Sequence, residues 1–193
     1  VIFSITSFKG GVGKTTTAVH LAAYFAKKGK TLLMDGDLNR SALVWAESEK
    51  LAFPVVSESD VPDGEREFTI VDTPARPTDD ELRTLAADSD LLLIPTTPDL
   101  LSIRALLLIT DVLSSFRAEN YRILLTQVPP RSYAGRDARA ALADIGLPVL
   151  KSQITRRAVF SRAALAGDTV DNLRDGSDAW KEIQTLGREI LKI

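Results

Sequence analysis

The sequence contains no cysteine, so disulfides and thiolate-held metal clusters are excluded together. No apolar run approaches the ~18 residues that a membrane span requires. The first apolar run, Val1-Ile2-Phe3-Ser4-Ile5, is short and has no basic leader. It reads as a core strand and not as a signal peptide. Positive charge is not in excess either: 24 Lys+Arg against 26 Asp+Glu leave a formal net charge of −2, which argues against a wholly basic nucleic-acid binder. Internal repeats, low-complexity segments and linkers are also missing. What remains is a chain of 193 residues, 45% hydrophobic and 26% charged, expected to fold as one domain (residues 1–193) with a sizeable core. A cytoplasmic protein is the default expectation.

Charge is unevenly spread. Residues 1–116 carry 11 Lys+Arg against 17 Asp+Glu, whereas 117–162 carry 9 against 3. A basic window inside an acidic protein is either a binding surface or scatter on solvated helix faces.

The most informative stretch is Ser7-Phe8-Lys9-Gly10-Gly11-Val12-Gly13-Lys14-Thr15-Thr16-Thr17. It follows a β-branched and aromatic run and precedes Ala18 to Lys28, whose apolar residues have helical spacing. Strand, glycine loop and helix together are the context of a phosphate-binding loop. Glycines let backbone N–H groups turn toward a polyphosphate, and the helix adds the positive end of its dipole. Lys14 is then placed to neutralise the β/γ-phosphates and the Thr15 hydroxyl to ligate Mg²⁺, with Gly10, Gly11, Val12, Gly13 and Thr16 completing the cradle. Two features depart from the usual loop: Phe8 stands where its first glycine belongs, and a second lysine, Lys9, follows.

Lys-Gly-Gly-Val-Gly-Lys-Thr-Thr resembles the deviant phosphate-binding loop of the ParA/MinD ATPases. The bland alternative for Lys9 is a solvated lysine before a turn. The missing cysteines remove the iron–sulfur branch of that superfamily. Two further loops carry the resemblance. Thr31 to Met34 reads as a strand ending in Asp35-Gly36-Asp37. The family implies that Asp37 positions the attacking water and Asp35 supports the magnesium shell; a helix cap by Asp37 or Asn39 is the plainer reading. Phe68 to Val71 reads as a strand ending in Asp72-Thr73-Pro74, with Asp72 holding Mg²⁺ through water and Thr73 to Pro77 sensing the γ-phosphate.

The remaining chain alternates in the same way. Helices are expected over Arg40–Glu49, from Thr78 to about Ala87, from Leu100 to Phe116, over Ser132–Ile145 and from about Asp178. Strands are expected at Phe53–Val56 (an edge, because of Pro54), Leu91–Pro95, Tyr121–Thr126 and Leu147–Leu150. This predicts an α/β fold: a doubly wound, mostly parallel sheet with helices on both faces and nucleotide at its carboxyl edge. The helix over Leu100–Phe116 is apolar nearly all round, from burial or from a dimer face. After Tyr121–Thr126 the family carries its adenine loop, here with Gln127 and Pro129. Resemblance to ParA-like members also implies that Arg131, Arg136, Arg139, Arg156 and Arg157 contact DNA phosphates without reading bases. The amphipathic final helix is expected to pack onto the sheet; a MinD-type membrane helix is the alternative.

The resemblance therefore implies a small ParA-type ATPase using ATP and Mg²⁺. ATP would bridge a homodimer, with Lys9 of one subunit reaching the phosphates held by the other. The dimer would bind non-specific double-stranded DNA, position a cargo on the nucleoid, and be released when a ParB-like or adaptor protein stimulates hydrolysis. No helix-turn-helix is expected before Val1, hence no operator-specific repression. The alternatives are a MinD-like membrane switch, a metabolic ligase such as dethiobiotin synthase, and a nucleotide-gated scaffold with negligible hydrolysis.

Overall fold

The computed structural model describes all residues, Val1 to Ile193. Seven strands form one sheet in the order β3-β2-β4-β1-β5-β6-β7, parallel at every pairing. They are β1 (Ile2–Ser7), β2 (Thr31–Asp35), β3 (Val55–Ser57), β4 (Phe68–Ala75), β5 (Leu91–Thr96), β6 (Tyr121–Val128) and β7 (Val149–Thr155). The seven α-helices are α1 (Lys14–Ala26), α2 (Ser41–Ala46), α3 (Asp79–Asp88), α4 (Leu100–Ser115), α5 (Ala134–Asp144), α6 (Ala158–Ala166) and α7 (Ser177–Ile190). The doubly wound fold expected from the alternation is what the chain adopts.

Side chains of the central strands alternate between two cores. Phe3, Ile5, Leu91 and Leu93 face the larger one, closed by α1, α2, α6 and α7. Leu92 and Ile94 face the smaller one, closed by α3, α4 and α5. Both faces being covered explains the uninterrupted apolar run Leu91 to Ile94. The chain winds outward from β1 to β2, returns through β4, and crosses to β5 on the other side of β1. Strand order thus reverses at β1, and a crevice opens beyond its carboxyl end.

The element bounds differ from the sequence expectations in physically explicable ways. The strand at Pro54 is shorter and lies at the sheet edge, where the missing N–H costs nothing. Helix α2 ends at Ala46 because its C-terminal side is held to the end of α6: Trp45 Nε1, Ser48 Oγ and Lys50 Nζ donate to the carbonyls of Asp168, Gly167 and Ala166. Strand β7 runs on through Gln153–Thr155, and α7 covers its outer edge. The Glu189 carboxylate accepts the N–H groups of Lys151 and Ser152 at 2.8 Å each, and Glu182 accepts that of Thr155 at 2.8 Å.

The apolar stripe of α7 is therefore committed to the interior. Ala179, Ile183, Leu186 and Ile190 are buried in the larger core. Helix α7 also approaches α1 so closely that a Cβ at Gly187 would lie 2.2 Å from the Tyr24 ring. No helix is long and apolar enough to cross a membrane.

Candidate functional site

The loop between β1 and α1 forms the floor of a cleft of about 720 Å³ beyond the end of β1. Gly11 (φ 75°) and Gly13 (φ 87°) both lie in the left-handed region, so these two positions need glycine for backbone conformation. No side chain caps α1, which leaves its first-turn N–H groups to a ligand. Lys14 is only 8% exposed and lines the cleft together with Thr15 and Thr16.

The carbonyls of this loop are drawn into the surrounding protein. The Phe8 carbonyl accepts from Arg76 Nε (3.2 Å) and that of Lys9 from Ser7 Oγ (2.8 Å). Gly11 accepts from Gln127 Nε2 (2.5 Å), Val12 from Thr126 Oγ1 (2.7 Å), and Gly13 from Thr17 Oγ1 (2.8 Å). Carbonyls engaged in this way leave the neighbouring N–H groups to face the cleft, the arrangement that binds an anion. Arg76 and Gln127 adopt left-handed backbone conformations of their own (φ 59° and 48°) while making these contacts.

Three carboxylates lie near enough to this cleft for Asp35 and Asp37 to act on the charge of Asp72. Asp35, the last residue of β2, and Asp72, three residues before the end of β4, are register neighbours. Both oxygens of Asp35 are engaged: Oδ1 accepts from Asp37 N–H, and Oδ2 from Ala42 and Leu43 N–H at 2.9 and 3.0 Å. Asp35, not Asp37 or Asn39, thus satisfies the start of α2. Asp37 lines the cleft, one oxygen fixed by the backbone and side-chain N–H groups of Asn39. Asp72 is fully buried, and neither of its oxygens has a hydrogen-bond partner of good geometry. Burial pushes its carboxyl up to about 7, against the pull of the Thr15 hydroxyl and the Lys14 ammonium; Asp35 and Asp37 push it further.

An orphaned, buried carboxylate beside a threonine hydroxyl is a donor set suited to a hard cation. No group of three or more His, Cys, Asp or Glu side chains is placed to hold a metal ion unaided. That matches Mg²⁺, which keeps several waters and takes the rest of its shell from substrate phosphates.

Residues 3–170 match the model of the CobQ/CobB/MinD/ParA nucleotide binding domain. The chain belongs to this family. The resemblance to ParA/MinD ATPases read from the loop is upheld across the domain. The chain is 34% identical to the maintenance of carboxysome distribution protein A of Gloeobacter kilaueensis, over 86% of this chain and 82% of that protein. Its fold is similar to the MinD cell division protein of Aquifex aeolicus (TM-score 0.80, 21% identity, 100% of this chain and 97% of that one). It is also similar to a plasmid partition protein of Borrelia burgdorferi bound to AMPPNP (TM-score 0.78, 19% identity, 99% and 98% covered).

Within this CobQ/CobB/MinD/ParA-family cleft, Lys9 is set apart from the phosphate cradle. It lines a neighbouring groove with Asp99, Pro129 and Arg156, while its ammonium bonds to Asp99 and Ser102. Gln127 lies at the cleft, but its amide is occupied by the Gly11 carbonyl, and Pro129 faces the Lys9 groove. A second cleft of about 980 Å³ continues from the loop, bounded by Thr126, Pro130, Ile154, Phe160 and Leu165.

The five arginines picked out in the sequence are dispersed in role. Arg139 donates to the Leu150 carbonyl and the Gln153 side chain, and Arg157 pairs with Glu182 at 3.0 Å. Arg156 and Arg157 line the second cleft. Arg136 stacks on Tyr133 and bonds to Asp137, whereas Arg131 and Arg156 are exposed with no side-chain partner. Sequence reasoning missed Ser7, Arg76 and Thr126 as braces of the loop. Arg76 and Thr126 gave no signal, because each reaches the loop from a distant part of the chain.

Proposed function

We propose that this family member is a Mg²⁺-dependent ATPase of the ParA type, working as an ATP-bridged homodimer. The observation that carries the reading is the separation of the two lysines: Lys14 is buried in the cradle, whereas Lys9 lies outside it in the adjoining groove. A lysine beside a phosphate site that does not serve its own site is placed to serve a second copy's. Charge supplied in trans stabilises phosphoryl transfer as an arginine finger does.

The second cleft offers apolar walls, Ile154, Phe160 and Leu165, for the nucleoside, and the loop N–H groups with Lys14 take the phosphates. Thr15 and Asp72 would hold Mg²⁺, directly or through water. An ion held there would supply positive charge against that of the phosphates. Asp37, with one oxygen fixed by Asn39 and the other open to the cleft, orients the attacking water. Asp35 acts by shaping this turn.

DNA binding follows from the exposed cations of the basic window. Of the five arginines singled out, Arg131, Arg136 and Arg156 are exposed, and phosphate contacts by them would be sequence-independent and salt-sensitive. The burial of the α7 stripe speaks against a membrane role for that helix. The name of the Gloeobacter relative, maintenance of carboxysome distribution, supports a body such as the carboxysome as cargo.

Co-sedimentation with DNA and with liposomes, in ATP and in ADP, tests the reading. Retention on DNA only with ATP, lost on Arg131→Ala plus Arg136→Ala and reduced at higher salt, is expected. Binding to liposomes but not DNA overturns it. Lys9→Ala should abolish the nucleotide-dependent dimer while leaving ATP bound to the monomer.

A further inference from the structure

Lys9 has its own docking place within the chain. Its ammonium donates to Asp99 Oδ1 at 3.2 Å and to Ser102 Oγ at 2.7 Å, so two of its three protons are used. Asp99 is built into the start of α4: Oδ1 accepts from the N–H groups of Leu101 and Ser102, and Oδ2 from the hydroxyls of Ser102 and Thr97. This carboxylate has two duties, capping a helix and holding a lysine. The pair is half-open to solvent, with Lys9 35% and Asp99 50% exposed at the side chain.

We propose that Asp99 and Ser102 form a latch that keeps Lys9 in its own subunit and opposes dimer formation until ATP is bound. The proposal rests on the reading of Lys9 as a group acting in trans. An ammonium bonded to Asp99 and Ser102 cannot also meet a partner's phosphates, so each subunit must release its lysine before the dimer closes. Asp99 is a positioning residue here, since it acts only through Lys9.

The latch is weak enough to open. An exposed ion pair changes an equilibrium by about threefold. A two-fold dimer opens two latches, so the effect enters squared, about tenfold in the dimer dissociation constant. Polyphosphate, carrying several charges in a more enclosed site, outcompetes one carboxylate; a subunit without ATP offers the partner's lysine nothing better than Asp99.

Asp99→Asn separates the two duties, because asparagine caps helices as well as aspartate but carries no charge. Sedimentation of wild type and variants with AMPPNP and Mg²⁺ provides the readout. Asp99→Asn should tighten the dimer about tenfold at low salt, with less difference at high salt, and its melting temperature without nucleotide should stay within about 2 °C of wild type. Ser102→Ala, which removes the second acceptor and keeps the Asp99 charge, should tighten the dimer in the same direction by a smaller factor. Unchanged or weaker dimers in Asp99→Asn overturn the latch. Lys9→Ala distinguishes the two levels: if it dimerises like wild type, the trans reading fails and the latch with it. If it is monomeric while Asp99→Asn is not tightened, the latch alone fails.

Discussion

Asp35 and Asp72 stand side by side in register on β2 and β4, and only Asp35 has its oxygens satisfied. The same residue type does opposite things one strand apart. Asp35 is spanned by three backbone N–H groups of the following turn and helix, whereas Asp72 is buried with no backbone donor, the Thr15 hydroxyl and Lys14 ammonium being its polar neighbours.

The unsatisfied carboxylate costs stability whenever no cation is bound. Asp72→Asn should stabilise the nucleotide-free protein by about 2 kcal/mol, because a neutral amide is less costly to bury than an unpaired charge. The same variant should lose most of the stabilisation that Mg²⁺ and ATP together give the wild type. Urea unfolding with and without Mg²⁺-ATP reads both effects. A nucleotide-free variant no more stable than wild type refutes the account.

Gln127 braces the loop through Gly11. Gln127→Ala should therefore weaken ATP, ADP and GTP alike, by roughly fivefold, the worth of one lost hydrogen bond. A residue reading the base would change the ratio of ATP to GTP affinity instead. Calorimetric titration of the three nucleotides decides between the two.

The α7 clamp on the sheet edge is a third test. Glu189→Ala leaves two N–H groups of β7 without partners and should cost about 2 kcal/mol. Glu189→Gln, which keeps an acceptor oxygen, should cost less. Equal losses would mean that the carboxylate charge, and not the two hydrogen bonds, is what matters.

His20 joins the phosphate-binding helix to the C-terminal part of the domain. Its Nδ1 lies 2.7 Å from the Thr16 carbonyl, and its Nε2 accepts the Val170 N–H at 3.2 Å. The neutral ring with hydrogen on Nδ1 satisfies both contacts. Burial lowers its pKa to about 4, against the raising effects of the Thr16 carbonyl and Asp171. Between the ordinary value of 6.5 and 4, the unfolded chain binds a proton that the native state does not, so this contribution to stability is lost as pH falls through that window. Asp72 shifts stability the opposite way over nearly the same range and so offsets the histidine's contribution in wild type. The stability difference between wild type and His20→Gln should isolate the histidine, shrinking by about 1 kcal/mol per pH unit from pH 6 to pH 4. A difference independent of pH would refute the buried neutral ring.

The fold was legible because each strand is an apolar run with its own punctuation: Gly29 before β2, Asp72 near the end of β4, Gly146 closing α5 with φ 82°. The phosphate-binding loop was legible because its glycines and lysine are contiguous. What escaped was everything joined across the sheet. The bonds from Thr126 and Gln127 to the loop span more than a hundred residues, and Lys9 meets Asp99 ninety residues away. Such pairs leave no periodicity or spacing to read. The role of Asp35 was hidden for another reason: a carboxylate at a strand end suits a metal shell or a helix start equally well, and only the direction of its lone pairs decides.

The bracing of the phosphate-binding loop has a further consequence for the nucleotide cycle. Bonds from Ser7, Arg76, Thr126 and Gln127 fix the loop before any ligand arrives, so its conformational entropy, about 1 kcal/mol or more per ordered residue, is lost during folding and not at binding. A loop set in advance presents the same shape to any phosphate-bearing ligand. The neighbouring segment Asp37-Leu38-Asn39 is different in kind: its bonds run only to Asp35 and within its own turn, and Leu38 is 95% exposed.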